Sequence, residues 1–275
     1  MTNFTRYLLS KRTIDDRALN RMVWERLQTA VSHQTAPLNI LEVGAGVGTM
    51  IERLVAWELV TEGVYTAVDA NPDCIQIGRE RLGDQHHALK LNWHTADLYD
   101  FAAQAPPHHY DLLIAHALLD LLDLSQALPI LFNLLKPGGI FYFTINFDGA
   151  TIFQPPLAGD AAIEAAYHQT MDNRPGGSQS GRHLFHAVQQ AGGHVLGMGS
   201  SDWVVHPLPD QTYPADEAYF LHFILDTMDG VLHNHPDLPP SQWPTWLQQR
   251  RAQIQAGQLL YIAHQLDLLG TTVKG

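Results

Sequence analysis

Two hydrophobic periods alternate along the first half of the chain. Short apolar runs begin at residues 38, 64, 91, 110 and 140, and each is bounded by acids, glycines or prolines. Stretches of helical period separate them, one following Gly48 and one opening at Pro72 and running to about residue 82, where the missing proline N–H costs nothing. Strands spaced by helices predict an α/β protein with a largely parallel sheet. A helical preface over 1–37 precedes them. Thr13 is placed to cap a helix over 14–32, with Asp16 completing a capping box.

The second half reads as a helix over 160–170, a turn-rich loop over 172–181, a helix over 182–191 and a strand over 194–206. Two amphipathic helices follow, over 216–232 and 241–256, the second capped by Ser241. They carry Tyr219, Phe220, Phe223, Trp243 and Trp246, whose first role is core packing between the two helices. The apolar run over 258–267 is the last strand, expected at the sheet edge. The two helices thus form a cap over about 207–256, inserted before that strand, with the proline-rich 236–244 as connector. The glycines Gly176, Gly177 and Gly181 give the 172–181 loop the backbone freedom of a lid.

Chemistry concentrates where the first apolar run ends. Leu38-Asn-Ile-Leu-Glu-Val-Gly-Ala-Gly-Val-Gly is a strand, an acid at Glu42, then glycines at 44, 46 and 48 opening a helix. Glycine suits a turn whose backbone takes conformations closed to residues with a Cβ, with a ligand lying against the chain. Orphan amides at the helix start favour an anionic group. Dinucleotide sites space their glycines Gly-x-Gly-x-x-Gly. Here the third comes one residue early, and no Tyr-x-x-x-Lys pair is present, which disfavours the alternative of an NAD(P)-dependent oxidoreductase. Asp69 ends the second strand, where a carboxylate can accept both hydroxyls of a ribose.

The acid-x-Gly-x-Gly-x-Gly pattern resembles motif I of the class I S-adenosylmethionine-dependent methyltransferases. Four further pieces agree in order: Val-Asp69-Ala70, Ala-Asp97-Leu98, Tyr110-Asp-Leu-Leu-Ile-Ala-His116, and Leu134-Leu-Lys-Pro-Gly-Gly before an apolar strand. The resemblance covers residues 38–147, the cofactor-binding core, and leaves 148–275 as the substrate side. It implies a single domain with a seven-stranded, mostly parallel sheet and helices on both faces. It implies S-adenosylmethionine as cofactor, with Glu42, Gly44, Ala45, Gly46 and Gly48 under its methionine part. Asp69 and Ala70 would lie at the ribose, Asp97 and Leu98 at the adenine, and His116 at the end of the fourth strand. A basic residue of the preface, Arg17, is a candidate for the cofactor carboxylate.

Such enzymes can act by aligning a nucleophile with the methyl group, and need a base only when the nucleophile arrives protonated. His116 is either that base or a neutral packed histidine under the cap. Asp148 and Arg174 are candidates for substrate contact. A non-catalytic S-adenosylmethionine-binding protein is the second alternative.

Composition narrows the partner. The net charge is −12, from 16 basic and 28 acidic residues, without the basic stripe of a nucleic-acid binder. No Asn-Pro-Pro-Tyr-type segment follows the fourth strand, so a small-molecule substrate is expected. The 16 histidines are scattered, without metal-ligand spacing, and the single cysteine, Cys74, permits no intrachain disulfide. No apolar run of membrane-spanning length and no leader-like start is read, so the expected setting is cytoplasmic, without a membrane partner.

Overall fold

The computed structural model describes residues 1–34 and 37–273. Three helices open the chain: α1 (Asn3–Ser10), α2 (Arg12–Ala18) and α3 (Arg21–Ser32). Then come β1 (Leu38–Val43), α4 (Thr49–Ala56), β2 (Gly63–Asp69), α5 (Pro72–Leu82), β3 (Gln85–His86), β4 (Leu89–Thr95), α6 (Leu98–Gln104) and β5 (Tyr110–His116). A 3₁₀ turn (Leu119–Leu121) and α7 (Leu124–Leu134) lead into β6 (Leu135–Gln154). The remainder is α8 (Asp160–Asp172), α9 (Ser180–Gln190), β7 (Gly193–Ser200), β8 (Trp203–Val205), α10 (Glu217–Leu232), α11 (Gln242–Gln255) and β9 (Leu260–Thr272).

One sheet runs in the order β3-β4-β2-β1-β5-β6-β9-β7, with β8 also paired to β9. Strands β4, β2, β1, β5 and β6 are parallel, and β9 runs antiparallel to β6 and β7. The seven expected strands are all there, and the short β3 and β8 bring the described total to nine. The chain proceeds one way from β1 to β2 and β4 and the other way from β5 to β6. The order therefore reverses between β1 and β5, the place where α/β sheets open a ligand crevice at their carboxyl ends.

Apolar layers cover both faces. Val23, Leu27, Met50 and Leu54 pack with Ile40 and Tyr142 on one side. Leu128, Leu131 and Leu184 pack with Leu41, Leu113, Phe141 and Phe143 on the other. A third cluster joins the cap to the strand ends through Trp203, Phe220, Trp243, Trp246 and Tyr261. Trp243 and Trp246 are buried and stacked at 5.3 Å, so their role here is core packing. Pro72 opens α5 as expected, with Asn71 accepting from the Asp73 amide.

Four expectations are corrected. The preface is three helices, because Asn20 breaks the helical period. Its side chain caps α3 at the Val23 amide, its own amide donates to Asp267 at 2.8 Å, and its Nδ2 donates to the Ser200 carbonyl. Thr13 lies inside α2 and caps nothing; its hydroxyl donates to Glu217 at 2.6 Å. Strand β9 lies inside the sheet, and its polar residues, which suggest an exposed edge, are buried: Gln265 is 2% and Asp267 0% exposed. The expected strand over 194–206 is two, β7 and β8, with Ser201 donating its amide to Gln265 between them.

Candidate functional site

The glycine turn between β1 and α4 is built as its spacing predicts. Gly44, Gly46 and Gly48 all have left-handed backbones, with φ of 68°, 54° and 80°. The Ala45 amide donates to the Val68 carbonyl at 3.0 Å, and the Gly46 amide donates to Asp69 Oδ2 at 2.8 Å. A Cβ on Gly44 would lie 3.0 Å from Leu118, beyond β5, and one on Gly46 would lie 3.1 Å from Leu8 of α1. Two leucines from distant parts of the chain therefore rest directly on the turn. Neither Leu8 nor Leu118 is singled out by sequence reasoning, and only the amphipathic character of α1, with Thr2 accepting from the Thr5 amide at its start, hints at a roof there.

Asp69 and Asp97 stand on the same rim, at the ends of β2 and β4. Asp69 is half-buried and takes the amides of Gly46 and Asn71, one on each oxygen. Burial pushes its acidity up, and those two amides oppose the shift. Each oxygen keeps a second lone pair for a hydroxyl. Asp97 caps α6 by accepting from the Tyr99 amide, and the Ala96 amide donates to the Asp69 carbonyl, which ties the two acids together. Ala70 is exposed beside Asp69, and Leu98 is buried beneath the rim.

Glu42 stands in β1, two residues before Gly44, and its side chain is engaged by Tyr65 of β2. It is 1% exposed, accepts from the Tyr65 hydroxyl at 2.7 Å, and burial raises its pKa to about 8. A neutral acid here braces the strand that leads into the turn. Its ordinary value lies near 4.5, so as pH climbs from there to 8 the unfolded chain releases a proton that the folded chain keeps. Folding stability should therefore fall across that window, by at most about 1.4 kcal/mol per pH unit from this group. Glu42→Gln, whose amide oxygen can still accept from Tyr65, should flatten that slope in urea titrations at pH 5, 6.5 and 8. Parallel curves for both proteins would exclude the assignment.

His116, at the end of β5, is fully engaged by the protein. Its Nδ1 lies 2.8 Å from the Thr144 hydroxyl and its Nε2 3.0 Å from Asp15 Oδ2. A neutral ring with its proton on Nε2 satisfies both partners. Burial, with Lys11 and Arg53 nearby, lowers its pKa to about 4. No lone pair remains to take a substrate proton, so the packed-histidine reading describes this arrangement. The hub is Asp15, 0% exposed, which also accepts from Lys11 at 2.9 Å and from Trp203 Nε1 at 2.8 Å, with Arg53 3.5 Å away. This cluster fastens α2 to the end of β5 and to the middle of β6, where the pairing of the two strands stops and Ala117 and Ile145 hold positive φ.

The other candidates are tied elsewhere. Arg17 forms a two-pronged pair with Glu217 of α10 at 2.7 and 2.9 Å, so it joins preface to cap and does not reach the glycine turn. Asp148 is 5% exposed and accepts from both the amide and Nε of Arg182. Arg174 is exposed on the loop after α8. That loop does sit at the same end of the sheet as the glycine turn: Gly176 packs on the Asp120 carbonyl, and Ser180 donates to the Leu119 carbonyl. Asp120 itself, within a segment the sequence singles out only as a strand end, has a buried Oδ1 without a hydrogen-bond partner. Among the described residues, no group of three metal-ligating side chains comes together, and no helix is long and apolar enough to cross a membrane.

Comparison with known proteins agrees with this geometry. The family described as "Methyltransferase domain" matches residues 41–141. The chain is 32% identical over 123 residues to the polyketide synthase component of compactin nonaketide synthase from Penicillium citrinum, covering 42% of this chain and 4% of that one. It is 26% identical over 122 residues to the ubiquinone/menaquinone biosynthesis C-methyltransferase of Shewanella sediminis, covering 44% of this chain and 47% of that enzyme. The match thus spans less than half the length of either curated relative. Among solved structures, a putative methyltransferase from Bacillus halodurans shares the fold with a TM-score of 0.53 at 10% identity, over 91% of this chain and 98% of that one. Residues 41–141 match a methyltransferase domain, and the sheet built around them shares a methyltransferase fold.

Proposed function

We propose that this chain transfers a methyl group from S-adenosylmethionine to a small molecule. The observation that carries the proposal is the bond from the Gly46 amide to Asp69, which puts the glycine turn and the ribose-type acid on one rim at the topological switch. The residues present fit the cofactor. The groups resting on Gly44 and Gly46 are the movable side chains of Leu118 and Leu8, and Asp69 and Asp97 close or follow the adjacent strands β2 and β4. When bound, S-adenosylmethionine supplies a methyl group made electrophilic by its sulfonium.

The chain's own part is binding, alignment and exclusion of water. Gly44, Ala45, Gly46 and Gly48 offer backbone to the methionine portion, Asp69 accepts the ribose hydroxyls beside Ala70, and Asp97 with Leu98 flanks the adenine. Helices α10 and α11 and the loop after α8 roof the crevice, and holding an acceptor about 3–3.5 Å from the methyl group then favours displacement. The acidic surface, with net charge −12, argues for a small acceptor over a nucleic acid.

Incubation with S-adenosylmethionine carrying a deuterated methyl group and a fractionated metabolite extract tests the reading. The expected result is S-adenosylhomocysteine together with a labelled product of low mass. Tight cofactor binding with no S-adenosylhomocysteine from any fraction would favour a binding protein instead. In hydrogen exchange, residues 172–181 should be protected by cofactor and acceptor together; identical exchange with and without them would remove the lid.

A further inference from the structure

A buried carboxylate oxygen without a partner is costly, since the group leaves water and gains nothing in return. Asp120 carries one: its Oδ1 is shut off from solvent and accepts no hydrogen bond. The residue follows β5 by four positions, at the sheet end where the strand order reverses. Two residues before it, Leu118 lies on Gly44 of the glycine turn. Asp120 therefore stands next to the place proposed for the methyl group.

Two tyrosines from separate elements stand near it. Tyr7 of α1 and Tyr167 of α8 both feel its charge, which adds to the upward push on their hydroxyls from burial. Tyr7 stacks on Phe223 of α10 at 4.1 Å and on Phe220 at 5.8 Å, so the wall beyond it is aromatic. The nearby cation, Lys11, bonds to Asp15 at 2.9 Å, and its charge reaches Asp120 without a hydrogen bond to Oδ1. From above, a Cβ on Gly176 would fall 1.9 Å from the Asp120 carbonyl oxygen, so the loop after α8 is seated on this residue. Preface and loop thus approach a carboxyl one of whose oxygens, Oδ1, no protein donor satisfies.

We propose that Asp120 is a specificity-determining residue of the acceptor site: its free oxygen accepts a hydrogen from an amine or hydroxyl of the methyl acceptor. This rests on the methyl-transfer reading. It selects acceptors with a protic nitrogen or oxygen at the methyl-receiving end. Burial raises the carboxyl to about 6, so it is ionised and a strong acceptor at neutral pH.

The test needs no knowledge of the natural acceptor. Sinefungin, a cofactor analogue with an ammonium-bearing carbon in place of the methylated sulfur, places a protic group where the acceptor would meet the methyl. S-adenosylhomocysteine has nothing there. By calorimetry, sinefungin should bind wild type at least about tenfold more tightly than S-adenosylhomocysteine, as a charge-assisted hydrogen bond provides. Asp120→Asn and Asp120→Ser should lose that preference while keeping the S-adenosylhomocysteine affinity and the fold by circular dichroism. An unchanged ratio in a folded variant, or no preference in wild type, overturns the role of Asp120 and leaves the cofactor site standing. Failure of wild type to bind either compound overturns the methyl-transfer reading itself.

Discussion

Gly46→Val should abolish cofactor binding and leave the sheet intact. Gly46 has φ of 54°, a region that a β-branched residue enters only with strain of about 1–3 kcal/mol. Its new side chain would start 3.1 Å from Leu8 and fill the space in which the methionine portion is proposed to lie. Relief of the strain would swing the amide away from Asp69, so that carboxylate would lose its orientation too. Calorimetry with S-adenosylhomocysteine should give no heat at concentrations that saturate wild type. Far-ultraviolet circular dichroism should be unchanged, because β1 and α4 carry their own apolar anchors in Ile40, Met50 and Leu54. Asp69→Ala should weaken binding about 10- to 100-fold by removing charge-assisted bonds to the ribose. Normal affinity in folded Gly46→Val would make the turn a structural feature only.

Asp15→Ala should be the most destabilising single change outside the apolar core. Asp15 is the shared acceptor for Lys11, His116 and Trp203 and lies 3.5 Å from Arg53, and Lys11, Asp15 and Arg53 are 5%, 0% and 2% exposed. Removing it leaves the Lys11 ammonium buried without its counter-charge and leaves two ring N–H groups without acceptors. Breaking a buried pair in this way costs about 3–5 kcal/mol. For a chain of this size that corresponds to a fall in melting temperature of about 10 °C. Urea denaturation should register the loss, with Asp15→Asn intermediate because it keeps one acceptor. A loss under about 1 kcal/mol for Asp15→Ala would mean that the cluster does not hold the preface to the strand ends.

The parts legible in the sequence are those fixed by local chemistry. Alternate glycines after an apolar run with a buried acid specify the turn at 44–48. Acids closing the apolar runs at Asp69 and Asp97 specify the rim, because a parallel strand must expose its carboxyl end. Helix 217–232 and its partner were readable from period and aromatics. What sequence patterns could not carry was partner choice among polar side chains. Arg17 and Lys11 are both basic residues of the preface, yet one closes on Glu217 of the cap and the other on Asp15 of the preface itself. Likewise Asn20 reads as one more helical position until Asp267 and Ser200, far along the chain, are brought beside it. The run over 258–267 reads as an edge strand because burial of Gln265 and Asp267 depends on neighbours that only the fold supplies. Asp120 is invisible for the same reason, since an unpartnered oxygen is a property of the assembled fold.

The account depends most on one claim, that Gly44–Gly48 with Asp69 and Asp97 form the cofactor cradle. A crystal structure grown with S-adenosylhomocysteine tests it directly. The account predicts the methionine portion along the glycine turn with Leu8 and Leu118 moved aside, the ribose hydroxyls on Asp69, and the adenine between Asp97 and Leu98. Density for the ligand away from this rim, or Leu8 and Leu118 unmoved on an empty turn in crystals grown at saturating ligand, would contradict it.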